Sequence, residues 1–283
     1  MQISVVIPSY NRLTTLIRAI ESVCEQTSAV DEIIVVDDGS TDATSNEISW
    51  RYPQVKLIRQ ANRGVSSARN SGIKQASYDW IALLDSDDCW FPEKISAIRL
   101  ANYQHPDLLL FHSDEIWIRR GVRVNAMKKH AKAGGWIFEN CLPLCVISPS
   151  AAVFYRSLVD AYGNFDETLP ACEDYDFWLR ICHQNPVCYI DKPLISKYGG
   201  HEDQLSARYW GMDRFRARSL HRLLQKHVLN PQHRQAATRV LVDKLEILLK
   251  GAHKHGNQKV IDEFKPLLEQ TRISIKIEER LAC

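Results

Sequence analysis

The stretch ALLDSDDCWFPEK, Ala82 to Lys94, ends an apolar run in three carboxylates within four residues. Like charges this close repel and raise one another's pKa. Asp85, Asp87 and Asp88 therefore call for something positive beside them. Two more polar clusters follow apolar runs, Pro8-Ser9-Tyr10-Asn11 and Asp37-Asp38-Gly39-Ser40. Each alone has an ordinary reading, since Asp-Gly-Ser is a good turn and Asn11 and Ser40 are good helix N-caps. Three clusters at the carboxyl ends of strands are harder to explain that way, because open parallel sheets bind their ligands there.

The elements that must carry these clusters alternate. Short β-branched runs (ISVVIP, EIIVVDD, QVKLIRQ, DWIALLDSDD) are separated by helical patterns. Leu13, Leu16, Ile17, Ile20 and Val23 recur at helical spacing. GSTDATSNEISWRY opens with turn and capping residues, and GVSSARNSGIKQAS reads as a short helix ending near Ser77. This alternation predicts βαβ units, and the nearly continuous apolar runs predict strands buried on both faces. DLLLFHS, SAAVFY and VCYID are expected as further strands, and EDYDFWLRICHQ as a helix. From about Ser206 the pattern becomes helical (206–229, 232–254 and 257–271), rich in Leu, Arg and Lys.

Composition sets the outer bounds. The 283 residues are 45% apolar and 25% charged, an ordinary globular mixture. No apolar run reaches the roughly 18 residues of a membrane span, and the first residues lack the marks of a secretory signal. Eight cysteines without a CxxC pair suit reduced, mostly buried thiols, so a cytoplasmic protein is expected. Charge is uneven: residues 205–283 hold 16 Lys and Arg against 8 Asp and Glu, although the whole chain carries only +2. Such asymmetry suggests different surfaces for different partners.

In order and spacing, VVIPSYNR, EIIVVDDGSTD, ANRGVSSARNSGI and YDWIALLDSDD resemble family 2 glycosyltransferases with a GT-A fold. The resemblance covers roughly residues 1–205. It implies an α/β catalytic domain over 1–205, with a Rossmann-like, mainly parallel sheet and helices on both faces. Residues 206–283 then form a C-terminal helical region. It further implies an inverting enzyme that uses a nucleotide-diphosphate sugar, a UDP-sugar by preference, and a divalent cation, Mn²⁺ or Mg²⁺.

The site residues follow from the same resemblance. Asp85-Ser86-Asp87 matches the family's DXD motif, with Asp87 the metal ligand, Asp85 facing the donor ribose or sugar and Ser86 beside it. Hard oxygen ligands suit such a cation. Asp88 has a weaker claim and is expected to cap the helix beginning near Pro92. Asp38 matches a carboxylate that accepts from the base, Pro8 and Tyr10 line the base pocket, and Arg69 matches a basic position near the nucleotide. The Glu-Asp opening CEDYDFWLR places the catalytic base at Asp174. Acidic residues also suit a first helical turn, and Asp176 with Arg180 is expected to be a structural i,i+4 pair. Phe177 and Trp178 are expected to anchor that helix to the sheet. His201, in KYGGHEDQLS, is a candidate further metal ligand, although Gly stands where the family has Arg.

The expected acceptor is a glycan or lipid-linked hydroxyl in polysaccharide, lipopolysaccharide or glycolipid assembly. Trp136 and Trp210 are candidates to stack on a sugar or to fill the core. A non-catalytic nucleotide-sugar-binding protein on the same fold is the alternative from another class. A sugar-1-phosphate nucleotidyltransferase would need a Gly-rich basic signature after the first strand, and a dinucleotide dehydrogenase a GxGxxG; the chain has neither. No nucleic-acid module is present. The basic C-terminal region is expected as a helical cap with Phe215, Leu220, Leu223 and Leu224 inward. Its arginines are candidates for a peripheral contact with anionic membrane, at roughly 1 kcal/mol per cation near the surface.

Overall fold

The computed structural model describes residues 1–125, 127, 130–200 and 209–282, with residues 276–282 as backbone only. Strands and helices alternate as β1 (Ile3–Ser9), α1 (Leu13–Cys24), β2 (Glu32–Asp37), α2 (Thr44–Arg51), β3 (Lys56–Arg59), α3 (Val65–Gln75) and β4 (Trp80–Leu83). A short β5 (Cys89–Trp90), α4 (Lys94–Gln104), β6 (Leu110–Arg119), β7 (Val122–Val124) and α5 (Phe138–Cys141) come next. A 3₁₀ turn (Pro149–Ala151) precedes β8 (Val153–Tyr155), α6 (Ser157–Tyr162), α7 (Glu173–Cys182) and β9 (Cys188–Gly199). Helices α8 (Asp213–Gln225), α9 (Pro231–Lys254) and α10 (Gln258–Ala282) complete the fold.

The sheet runs β3-β2-β1-β4-β8-β6-β9-β5, with β7 beside β6. Its first four strands are parallel, as the βαβ pattern requires. Beyond β4 it becomes mixed: β8 is antiparallel to β4 and β6, whereas β6 and β9 are parallel. Period-2 alternation divides the apolar strand residues between two faces. Val6, Ile81 and Leu83 join the core that also holds α7 and the C-terminal helices. Val5, Ile7, Ala82 and Leu84 join the core under α1 and α4. Helix α3 lies close on the first face because Gly72 has no side chain; a Cβ there would meet Val6 Cγ1 at 2.3 Å.

Helix α7 is buried nearly all round. Phe177 stacks on Phe165 at 4.2 Å and meets Phe154 edge-on, with Trp178 also against Phe154, so both anchor the helix to the sheet as expected. Asp176 and Arg180 form the expected i,i+4 pair at 2.8 Å, and Arg180 also donates to the carbonyls of Gly163 and Asn164. Phe215, Leu220, Leu223 and Leu224 of α8 are buried in the same core, so the C-terminal helices pack on the sheet domain as one continuous interior. The arginines on this helix are partly spent on protein partners. Arg218 Nε donates to Glu263 at 2.8 Å, and Arg222 pairs with Asp166. The expected boundary between residues 205 and 206 lies outside the described residues. Among the described residues no helix is long and apolar enough to cross a membrane.

Candidate active site

The three polar clusters meet at the carboxyl edge of the parallel strands. Asn11, in left-handed backbone, joins the first two: its N–H donates to Ser40 Oγ at 2.9 Å and its Oδ1 accepts from Thr41 N at 2.8 Å. Pro8 is buried within β1, and Tyr10, just past it, is 45% exposed at the rim. Gly39 turns the chain after β2 with a positive φ, and a Cβ there would lie 2.8 Å from the Asn62 nitrogen. Asp38, expected to accept from the base, is buried, and both its oxygens accept from the protein: from Gln60 Nε2 at 2.7 Å, Arg63 N at 3.0 Å and Gly64 N at 2.8 Å. In this geometry it shapes the loop leading into α3.

Arg69 answers part of the question raised by the carboxylate cluster. Expected near the nucleotide, it has a side chain that is 3% exposed. One terminal nitrogen donates to Asp85 and the other to Glu173, each at 2.6 Å. Burial raises the Asp85 carboxyl, but Arg69, helped by Lys197 and Arg12, outweighs it and holds Asp85 below the usual carboxylate range. Arg69 thus couples the DXD turn to the first turn of α7 and remains charged.

Asp87 follows Ser86 in the turn, with its side chain 17% exposed. Its Oδ2 pairs with Arg12 at 2.7 Å, and Arg18 donates to its backbone oxygen at 2.8 Å. Ser86 is buried beneath the turn. Asp88 does not cap α4, which begins at Lys94 with no side-chain cap bond. It points inward instead, accepting from Ser150 Oγ at 2.6 Å and from Tyr198 N at 2.9 Å. Burial, opposed by Lys197 and reinforced by Asp87 and Asp85, pushes its carboxyl well above the usual range.

The 3₁₀ turn that supplies Ser150 is a hub. Ser150 Oγ also accepts from Asp85 N at 3.1 Å, and Ser150 O accepts from Trp90 Nε1 at 2.9 Å. Lys94 Nζ, fully buried, donates to Ala151 O at 2.9 Å, and Lys197 Nζ donates to Ser148 Oγ at 2.8 Å. Burial alone would depress Lys197, but Glu115, Asp88, Asp85 and Asp174 raise it well above an ordinary lysine, so it stays a cation beneath the site.

Asp174 stands at the start of α7, half-buried, after Cys172 in left-handed backbone. A non-glycine residue held at φ +62° is uncommon and marks a turn fixed by its surroundings. Asp174 Oδ1 accepts from Tyr175 N at 2.7 Å. Burial and the Asp174 charge push the nearby Cys145 thiol well above its ordinary value. Glu173, Arg12, Ser150 and Lys197 were not assigned roles from the sequence. Of these only Arg12 and Glu173 had a local signal, next to the first polar cluster and next to Asp174. Trp136 and Trp210 are 67% and 40% exposed, so neither is a core residue. His201 lies outside the described residues.

Comparisons with known proteins agree on the class. A family model described as "Glycosyl transferase family 2" matches residues 4–113. The chain is 30% identical to the uncharacterised glycosyltransferase YwdF of Bacillus subtilis, over 81% of this chain and 85% of that one. It is 29% identical to Escherichia coli WfgD, a UDP-Glc:α-D-GlcNAc-diphosphoundecaprenol β-1,3-glucosyltransferase, over 72% and 79%. The chain spans about a third of the length of uncharacterised Rickettsia relatives; for that of Rickettsia felis the identity is 33% over 68% of this chain and 32% of the other. Among solved structures, residues 1–349 of Staphylococcus aureus TarS with UDP align at a TM-score of 0.65 and 20% identity, over 87% of this chain and 71% of that one. The mannosyltransferase PcManGT of Pyrobaculum calidifontis, with GDP-Man and Mn²⁺, aligns at 0.58 and 15%, over 96% and 84%.

Proposed function

The chain belongs to glycosyl transferase family 2, and from that premise we propose that it moves a sugar from a UDP-sugar to a hydroxyl of a diphosphate-linked lipid acceptor, with inversion at the anomeric carbon. The observation that supports this reading best is the Arg69 bridge, which ties the DXD carboxylate Asp85 to Glu173 at the α7 start, next to Asp174. WfgD's donor and acceptor, and the UDP held by TarS, support the choice of donor base and acceptor class.

A divalent cation fits the donor set. Asp87 is the ligand of this reading, and its carboxylate, paired with Arg12 at 2.7 Å, would exchange that partner for the cation, while Asp85 accepts from Arg69 and Asp88 from Ser150. Among the described residues no cluster of three His, Cys, Asp or Glu side chains is placed to hold a metal. Mg²⁺-like sites commonly combine one or two carboxylates with substrate phosphates, so one protein carboxylate suffices when the donor shares the coordination. When bound, the cation supplies positive charge to the diphosphate leaving group.

Asp174 is the general base. It takes the proton of the acceptor hydroxyl while that oxygen bonds to the anomeric carbon, and the carbon–oxygen bond to the diphosphate breaks to release UDP. Attack from the side opposite the leaving group gives inversion, through an oxocarbenium-like transition state. Arg69 holds Asp85 ionised and in place, and Lys197 remains a cation beneath the site. Tyr10 and the loop shaped by Asp38 form the nucleotide end, with Pro8 beneath.

A panel of UDP-, GDP- and dTDP-sugars, read by thermal shift with and without Mn²⁺ and then by transfer, tests this. UDP with Mn²⁺ should raise Tm more than either alone, and transfer should follow. Metal-dependent binding without turnover on any acceptor or water would favour a binding protein instead.

A further inference from the structure

The start of α7, which carries Asp174, is flanked by residues of the C-terminal helices. The start of α8 lies against the start of α7, where Cys172 Sγ comes within 3.9 Å of Met212 O. One turn into α8, Arg216 donates through Nη1 to Asp213 Oδ1 at 2.9 Å. The same carboxylate oxygen also accepts from Lys244 of α9 at 3.1 Å, and Lys244 is anchored by Pro143 O at 2.8 Å. Two cations therefore share one carboxylate, which leaves a positive charge in excess beside the base.

Arg216 is not used up by this arrangement. Its side chain is 20% exposed, and its Nε is buried with no hydrogen-bond partner. A purely structural i,i+3 pair needs only Nη1. The buried Nε is closed to a ligand, but Nη2 is neither among the buried unpartnered atoms nor bonded to a described residue, and the planar fork suits phosphate oxygens. Arg216 lies one helical turn beyond Met212, so the contact of Cys172 with Met212 O places it toward the start of α7, which carries Asp174.

We propose that Arg216 is an acceptor-binding residue that holds a phosphate of the diphosphate-linked acceptor while Asp174 faces its hydroxyl. The inference rests on the acceptor class given under Proposed function. A sugar whose anomeric oxygen carries diphosphate places a phosphate about one ring width from its reacting hydroxyl. A cation beside the base is where such a phosphate would be held. Lys244 serves Arg216 by sharing Asp213, which leaves Arg216 less tightly neutralised.

The test uses the full chain and two synthetic acceptors, a short-chain alkyl diphosphate glycoside and the matching alkyl glycoside without phosphate. Wild-type protein should show the lower KM for the diphosphate compound. Arg216→Gln should raise that KM about tenfold or more, leave the KM of the phosphate-free acceptor within about twofold, and leave the thermal shift by UDP with Mn²⁺ unchanged. Arg216→Lys should recover part of the loss. An equal loss on both acceptors, or a loss confined to UDP binding, overturns the assignment; the latter would place Arg216 on the donor. If wild-type protein binds UDP but transfers to neither compound, the acceptor class itself is wrong, and Arg216 loses its role with it.

Discussion

Ser150 donates its hydroxyl to Asp88 at 2.6 Å across 62 residues of sequence, and the same oxygen accepts from Asp85 N. One hydroxyl therefore braces both ends of the DXD turn. Ser150→Ala would leave a buried carboxyl short of one partner, at about 1–3 kcal/mol of stability. It should also loosen the turn that carries Asp87. Expected are a Tm a few degrees lower and a roughly tenfold weaker affinity for UDP with Mn²⁺, measured by calorimetry. An unchanged affinity would leave Ser150 with a packing role only.

Asp87→Asn keeps the shape of the side chain and removes its charge. Its ion pair with Arg12 is partly exposed, and such pairs contribute little, so the fold should survive. Metal-dependent nucleotide binding should disappear. A variant that binds Mn²⁺ and UDP normally would move the metal site elsewhere.

Asp174→Asn should lower turnover about 10²–10⁴-fold, the usual scale for a general base. Donor affinity should stay, because the base serves the acceptor. Asp176 is no substitute, since Arg180 and α7 packing already engage it. Equal turnover at saturating donor and acceptor would remove the base role.

Arg69→Met removes the shared partner of Asp85 and Glu173. Breaking a buried pair typically costs about 3–5 kcal/mol, because a charge is left uncompensated. Denaturant unfolding should show a loss of this order. Arg69→Lys keeps the charge but lacks the two-pronged fork, and should recover only part.

Lys94 gives a pH dependence. Burial, offset in part by Glu115 and deepened by Lys132, lowers it from 10.5 to about 7. Between those values the unfolded chain binds the extra proton and the folded chain does not. Stability from this group therefore rises with pH from about 7 to about 10.5, by about 1.4 kcal/mol per unit, and the cost is greatest below pH 7. Lys94→Met should be more stable than wild type near neutrality, and the gap should narrow as pH rises toward 10. Urea midpoints at about pH 7 and 9.5 compare the two; a constant gap would show that Lys94 does not titrate in this window.

The first half of the fold was legible because βαβ units write both periods into the sequence. Leu16 and Ile20 mark a helix, and Val5, Val6 and Ile7 mark a strand buried on both sides. Strand β9 was read only at its start, 187–191, because Asp191-Lys192-Pro193 looks like its end. Parallel pairing with β6, through register shifts near Ser113 and Asp114, carries it on to Gly199. Asp87 and Asp174 were visible as motif positions. Arg69 was visible too, but its partners were not, since Glu173 lies 104 residues away and nothing local in either segment points to the other. The Ser150 brace and the buried Lys94 and Lys197 carried no local signal, because their meaning depends on tertiary contacts.

The reach of Arg69 also says what a shortened chain would be. Residues 4–113 contain the strand-end clusters, Arg12 and Arg69, but neither Glu173 nor Ser150 nor Asp174. A fragment ending there would keep Asp85 on Arg69 and lose the other half of the bridge. It would also lack β8 and β9 and keep only the first residues of β6, so β4 would lose its antiparallel neighbour. The segment matched by the family model thus holds only one end of the Arg69 bridge.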